Sequence, residues 1–182
     1  MALSFRPADR AGTGDADRVA ALHADSWRRH YRGAYTDAYL DGDLVAERRA
    51  VWRSRFAAPA GTRTILAEDE GLLVGFAHVV FDRDATWGSL VDNLHVAHDR
   101  HRGGIGARLL ALAAAAVLDG ASGRGMYLWV LRQNTAAQGF YRACGATCVE
   151  TAAVSPPGGD PARLVGAPAK LRMAWPDAAA LG

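Results

Sequence analysis

Apolar positions along this chain change period several times, and each change marks an element. Over 3–8 they alternate and stop at Pro7, which predicts a short strand. Over 15–31, Val19, Leu22, Ser26-Trp27 and Tyr31 recur near helical spacing, with Asp15 or Asp17 as the expected cap and Gly33 as the stop. Over 44–58, Leu44, Val51, Trp52 and Phe56 predict a second helix, ended by Pro59. The runs 63–69 and 72–82 flank Glu70-Gly71 and predict a hairpin. A fourth strand follows over 87–97, a long Ala/Leu helix over 106–120 and a fifth strand over 125–134. A short helix over 135–145 precedes two last strands, 146–154 and 169–177. The Pro- and Gly-rich stretch between those two, 155–168, predicts a loop.

The resulting order, β-α-α-β-β-β-α-β-α-β-β, predicts an α/β fold, a mixed sheet with helices on it. The chain shows no internal repeat and no long linker, so one domain is expected over 1–182. Half of its residues are apolar, which excludes disorder by composition. The 21 basic and 19 acidic residues nearly balance, too even a distribution for a nucleic-acid binder. The longest apolar run, 109–118, is about half of what a membrane span needs. The N-terminal ten residues lack the apolar core of a signal peptide. Cys144 and Cys148 have no further cysteines with which to complete a metal set. A reduced, cytoplasmic protein that binds neither nucleic acid nor membrane is therefore expected.

The most specific segment is His98-Asp99-Arg100-His101-Arg102-Gly103-Gly104-Ile105-Gly106-Ala107-Arg108. It is a cationic glycine turn between an apolar strand and a long helix. A nucleotide P-loop would need a Gly-Lys pair, which the chain lacks. A dinucleotide fingerprint would need a third small residue where Leu109 stands. A strand, a turn of inward N–H groups and a helix start do suit an anion such as a pyrophosphate. The glycines would let the backbone approach it closely.

Residues 96–110 resemble motif A of the GNAT superfamily of acetyl-CoA-dependent N-acetyltransferases, [QR]-x-x-G-x-[GA], carried here by His101 to Gly106. The departure is His101, where the family usually has Gln or Arg. The likeness extends to the element order, to Asn93-Leu94-His95-Val96 before the turn, and to the Asn134, helix and Tyr141 that follow the fifth strand. It implies a GNAT fold, acetyl-CoA as cosubstrate and no metal. It also implies a coenzyme site made by His101, Arg102, Gly103, Gly104, Ile105, Gly106 and Ala107, together with Asn134. The backbone of Leu94, His95 and Val96 would pair with the pantetheine arm, and one of these N–H groups could serve as oxyanion donor.

Acetyl transfer to an amine needs an acid for the departing thiolate and a route for the amine proton. Thr135 and Gln138 read as a capping box, which starts a helix and puts Tyr141 about two turns on. By spacing alone Tyr141 reads as a core aromatic beside Phe140; the resemblance makes it the general acid. Strand alternation puts Leu90, Asp92, Leu94 and Val96 on one side and Val91, Asn93 and His95 on the other. The resemblance makes Asp92 the group that handles the amine proton, through a water; the plain alternative is an acceptor for Arg or backbone donors. Trp27, Tyr31 and Tyr35 stand where relatives build part of the acceptor wall, although core packing fits Trp27 as well. His95, His98 and His101 are spaced too far along strand and loop to meet at a metal. The cysteines read as buried small hydrophobes. The acceptor mouth is expected between 31–43 and 155–168, and an exposed strand edge near the C-terminus would allow a homodimer. Rival readings are a coenzyme A-binding module without turnover and an adenine-nucleotide enzyme.

Overall fold

In the computed structural model, which describes residues 3–9 and 14–182, the alternating segments pair into a seven-stranded sheet. The strands are β1 (Ser4–Pro7), β2 (Thr62–Asp69), β3 (Leu72–Asp84), β4 (Gly88–Val96), β5 (Met126–Leu131), β6 (Thr147–Ala153) and β7 (Ala169–Trp175). Their spatial order is β1-β2-β3-β4-β5-β7-β6. Only β4 and β5 run parallel; the other neighbouring pairs are antiparallel. The helices are α1 (Gly14–His30), α2 (Asp37–Leu40), α3 (Leu44–Ala57), α4 (Ile105–Gly120) and α5 (Thr135–Ala143). The single turn of α2 is the one α-helix that the periodicity did not predict.

Helix α4 is the crossover that a parallel pair requires. Its apolar stripe, Leu109, Leu110, Ala113 and Val117, packs with α5 on one face of the sheet. Helices α1 and α3 cover the other face, where Val19, Ala20 and Trp52 meet Leu66 and Phe76. Asp15 and Asp17 lie within the first turn of α1 and do not precede it; the position before Gly14 is outside the described residues. Asp15 instead accepts from both terminal nitrogens of Arg6 and from the Asp9 N–H, tying the helix to β1.

Two features open the sheet between β4 and β5. Their pairing is confined to Ser89 with Met126 and Leu90 with Tyr127. At its base a Cβ on Gly88 would stand 2.2 Å from the Gly125 carbonyl oxygen, so only a glycine allows this close approach. Immediately beyond the paired residues, β4 has a bulge. His78 faces Asn93 while Val79 faces Val91, which leaves Asp92 unpaired with β3. A bulge disrupts the ladder and adds local twist, and from here β4 turns away from β5.

The bulge also corrects the expected alternation. Val91 shares the α4 face with Leu94 and Val96. Asp92 turns to the α1/α3 face, where it meets Arg55 of α3. Cys148 is likewise not buried: it sits exposed on edge strand β6, while Cys144 is half-buried at the end of α5.

Candidate active site

The divergence of β4 from β5 leaves a cleft of about 630 Å³. Its walls are β4 from Val91 to Val96, β5 from Leu128 to Leu131, the N-terminus of α4, and parts of α5 and α1. Nearly all the residues expected to bind a coenzyme border it; Gly103 does not, although both its neighbours do.

One end of the cleft is built from backbone donors. Gly104 caps α4 in the left-handed conformation (φ 77°), and no side chain caps the helix. The first helical N–H with a backbone acceptor is that of Arg108, on the Gly104 carbonyl. The N–H groups of Ile105, Gly106 and Ala107 are therefore open, as at any uncapped helix start. A Cβ on Gly104 would meet nothing within 4 Å, so it would project into open space beside the helix start. Arg102 also has positive φ (65°), which tightens the turn. Arg100 reaches back to Asp69 at 2.8 Å and so fixes the turn against the β2–β3 hairpin.

The middle of the cleft is the open edge of β4. The Ala97 N–H donates to Val74, and alternation from there commits the backbone of His95 to Phe76 on β3. Leu94 and Val96 then direct their N–H and C=O groups toward the gap. The expected contact triplet is thus reduced to two residues, because His95 uses its backbone in the ladder. The Val96 carbonyl accepts from His101 Nε2 at 3.0 Å, which leaves the Val96 N–H open.

His95 instead contributes its side chain. Its Nδ1 lies 2.7 Å from Ser26 Oγ on α1, and its ring lies against His23 and Phe76. Burial first, and then the neighbouring His30, push His95 down to about 4. His23 accepts from Trp52 Nε1 at Nδ1, so its proton is on Nε2. Burial and the adjacent His95 hold His23 well below the ordinary histidine range. Both rings are neutral at pH 7. Near the mouth, His98 and His30 each approach the ring of His101. Among the described residues, no set of three or more His, Cys, Asp or Glu side chains is placed to hold a metal ion.

Tyr141 and Asp92, the two side chains expected to move protons, both line the cleft. Tyr141 is buried on α5, edge-on to Trp175, and burial raises its phenol well above the ordinary range. The capping box expected from Thr135 is displaced by one residue: the Asn134 side chain accepts from the Ala137 N–H and caps α5. Gln138 donates to the Leu131 and Arg132 carbonyls. Asp92 Oδ2 forms an ion pair with Arg55 at 2.7 Å and accepts from the Asn93 amide at 2.8 Å. Tyr31 borders the cleft, and Tyr141 and Asp92 both lie within electrostatic reach of its phenol.

Trp27 and Tyr35 do not border the cleft. Trp27 stacks on Tyr31 beneath the Arg48 guanidinium, and Tyr35 is buried in the same cluster. Segments 31–43 and 155–168 do come together: Thr36 N–H donates to Arg163, and Val165 N–H to Ala34. Sequence reasoning passed over Ser26, His30, Arg55 and Trp129. Alternation along β5 could have found Trp129; Arg55 had no signal, because only the bulge turns Asp92 toward it.

A family model described as the acetyltransferase (GNAT) family matches residues 20–146. The uncharacterized N-acetyltransferase YuaI of Bacillus subtilis is 28% identical over 172 residues, covering 92% of this chain and 91% of that protein. Rv2775 of Mycobacterium tuberculosis, named a probable N-acetyltransferase, is 31% identical over 129 residues, covering 70% of this chain and 71% of the relative. Among solved structures, the PaiA N-acetyltransferase of Thermoplasma acidophilum in complex with coenzyme A superposes with a TM-score of 0.68. It is 18% identical and covers 96% of this chain and 98% of that one, a likeness of fold. With the family match over most of the chain, and the split sheet and glycine-capped helix that the family motif implies, this chain belongs to the GNAT family of acetyltransferases.

Proposed function

We propose that the chain is a single domain that moves the acetyl group of acetyl-CoA to a primary amine, by direct attack within a ternary complex. The observation that carries this reading is the parting of β4 from β5 directly beside an uncapped helix start. A pyrophosphate fits the N–H groups at Gly104 to Ala107, and an extended pantetheine arm fits the free edge at Leu94 and Val96. The coenzyme A bound to the Thermoplasma protein supports the choice of ligand.

In this reading the amine approaches from the α1/α3 face, past Tyr31. Asp92 Oδ1, which has no hydrogen-bond partner among the described residues, takes the amine proton through a water. A lysine-type amine is mostly charged at neutral pH, so this help matters. The Leu94 N–H supports the thioester oxygen as negative charge develops on it. Tyr141 keeps its proton at neutral pH and gives it to the leaving thiolate. Asn134 holds the start of α5 and so sets where Tyr141 stands.

Calorimetric titration with acetyl-CoA, with ATP and NADH as controls, tests the reading. Binding of acetyl-CoA alone, followed by release of free thiol with a panel of amines, is the expected result. Binding of acetyl-CoA with no thiol release for any amine would favour a coenzyme-binding module. Binding of ATP and not of acetyl-CoA would replace the reading with an adenine-nucleotide site.

A further inference from the structure

Lys170 is the only lysine in the chain; the other basic side chains counted with it are arginines. It lies on β7, opposite Leu131 of β5 and Ala152 of β6. Leu171 and Met173 point into the α4/α5 core, so alternation turns Lys170 and Arg172 to the other face. That is the face on which Asp92 and Arg55 meet. The Lys170 ammonium stands 4.6 Å from the centre of the Trp129 ring, and Trp129 borders the cleft.

The surroundings of this amine are unusual. Arg172 lies over the same ring and is held by Asp84 and Glu150, each at 2.8 Å. Lys170 has no carboxylate within ion-pairing distance among the described residues, although Asp92 and Glu150 influence it at longer range. Its half-burial and the neighbouring Arg172 lower its affinity for a proton. Its four-carbon stem is flexible, and a neutral lysine amine is a nucleophile.

From this placement we infer that Lys170 is a modification site, acetylated by the chain's own cleft when acetyl-CoA is bound and no acceptor occupies the acceptor face. The inference rests on the acetyltransferase reading of the cleft. The ammonium first gives up a proton. Nζ then attacks the thioester carbonyl carbon, an N–C bond forms, and the C–S bond breaks. The sulfur leaves as a thiolate and takes a proton, and the nitrogen loses its second proton. The balance is one ammonium and one thioester giving one amide, one thiol and one released proton. Arginine guanidiniums remain charged and do not compete. Acetylation would remove one of the two positive charges over Trp129, leaving that of Arg172, and so change the acceptor side of the cleft.

The sole lysine makes the test direct. Lysyl endopeptidase cuts this chain only after Lys170, releasing 171–182, and an acetylated Lys170 blocks that cut. The full-length protein is incubated with acetyl-CoA alone, after acetyl-CoA binding has been measured on the same preparation. The expected result is a mass gain of one acetyl group, loss of the cleavage, and a rate per chain that does not depend on protein concentration. The K170R and K170M variants should bind acetyl-CoA and keep their mass. A chain that binds acetyl-CoA but remains cleavable overturns this inference alone. So does acetyl found only on the N-terminal amine, or a urea-unfolded chain acetylated as fast as the folded one. Failure to bind acetyl-CoA overturns both this inference and the proposed function.

Discussion

In the proposed reaction two groups of the cleft have separate roles, and each can be tested by substitution. Gly104 combines a positive φ with open space where a side chain would stand, and the proposed function places the coenzyme pyrophosphate there. G104V would add a branched side chain there and strain the turn. Its acetyl-CoA affinity should fall by about tenfold or more in calorimetry, a loss of roughly 1.4 kcal/mol or above. Unchanged affinity in a folded variant would sink the phosphate-cradle reading. At Tyr141 the edge-on packing against Trp175 survives loss of the hydroxyl, so Y141F isolates the proton donor. Its turnover should drop by roughly 10²- to 10⁴-fold with coenzyme affinity nearly intact. Full activity would mean that water protonates the thiolate.

Strand β4 sets the cleft through one irregularity. Asp92 is the extra residue, and it separates a lower part that pairs with β5 from an upper part that does not. Upper β4 still pairs with β3 on its other side, so alternate residues differ in protection. The N–H groups of Leu94 and Val96 are open, and that of His95 is committed to Phe76. Hydrogen exchange should therefore find the Leu94 and Val96 amides fast in the free protein and slowed by acetyl-CoA. The His95 amide should be slow in both states. Equal protection of all three in the free protein would contradict an open edge. The helix that follows is equally specific: with Gly104 as its cap, α4 offers bare N–H groups, whereas a Ser or Asp cap would have taken up one of them.

At the scale of the molecule, the two faces of the sheet differ in what they bury. The α4/α5 side contains no histidine in its core and is centred on Leu109, Leu110, Val117 and Met173, with Tyr141 and Trp175 packed beside them. The α1/α3 side encloses imidazoles: His23 is buried between α1 and the sheet, His95 is half-buried beside it at the cleft, and both are held neutral. In the unfolded chain both would take up a proton near pH 6.5, whereas folded His95 does so only at about 4. Between those values the unfolded state binds more protons, so stability falls as pH falls. The paired carboxylates lose their contribution only lower; Asp84, held by Arg172, goes down to about 2. A melting temperature that declines from pH 6.5 toward 4.5, before the carboxylates titrate, is the expected result. A flat profile across that window would mean that the two rings are hydrated. No helix among the described residues is long and apolar enough to cross a membrane.

The element order was legible because it depends on period, which is local. The strands around Glu70-Gly71, the Ala/Leu helix and the glycine turn all stand where their patterns put them. Among the α-helices only the single turn of α2 went unseen, being too short to show a period. The uncapped helix start was legible for the same reason: Gly104 stands where the chain turns with positive φ into α4, a local requirement that the sequence displays. Other features depend on tertiary structure because they join residues far apart in sequence. The bulge at Asp92 exists only against β3, and it alone brings Asp92 to Arg55. The Ser26–His95 contact needs α1 laid across β4. Trp27 and Tyr35 entered the core, and Tyr31 the cleft, according to how 31–43 folds against 155–168. Lys170 is an ordinary strand residue until β7 inserts between β5 and β6 and places its amine over Trp129. Sequence by itself determined which segments are helix, strand and glycine turn, since these follow from bonding and sterics within a few residues. The partner of each side chain was decided by strand order and by one extra residue in β4, which no local pattern encodes.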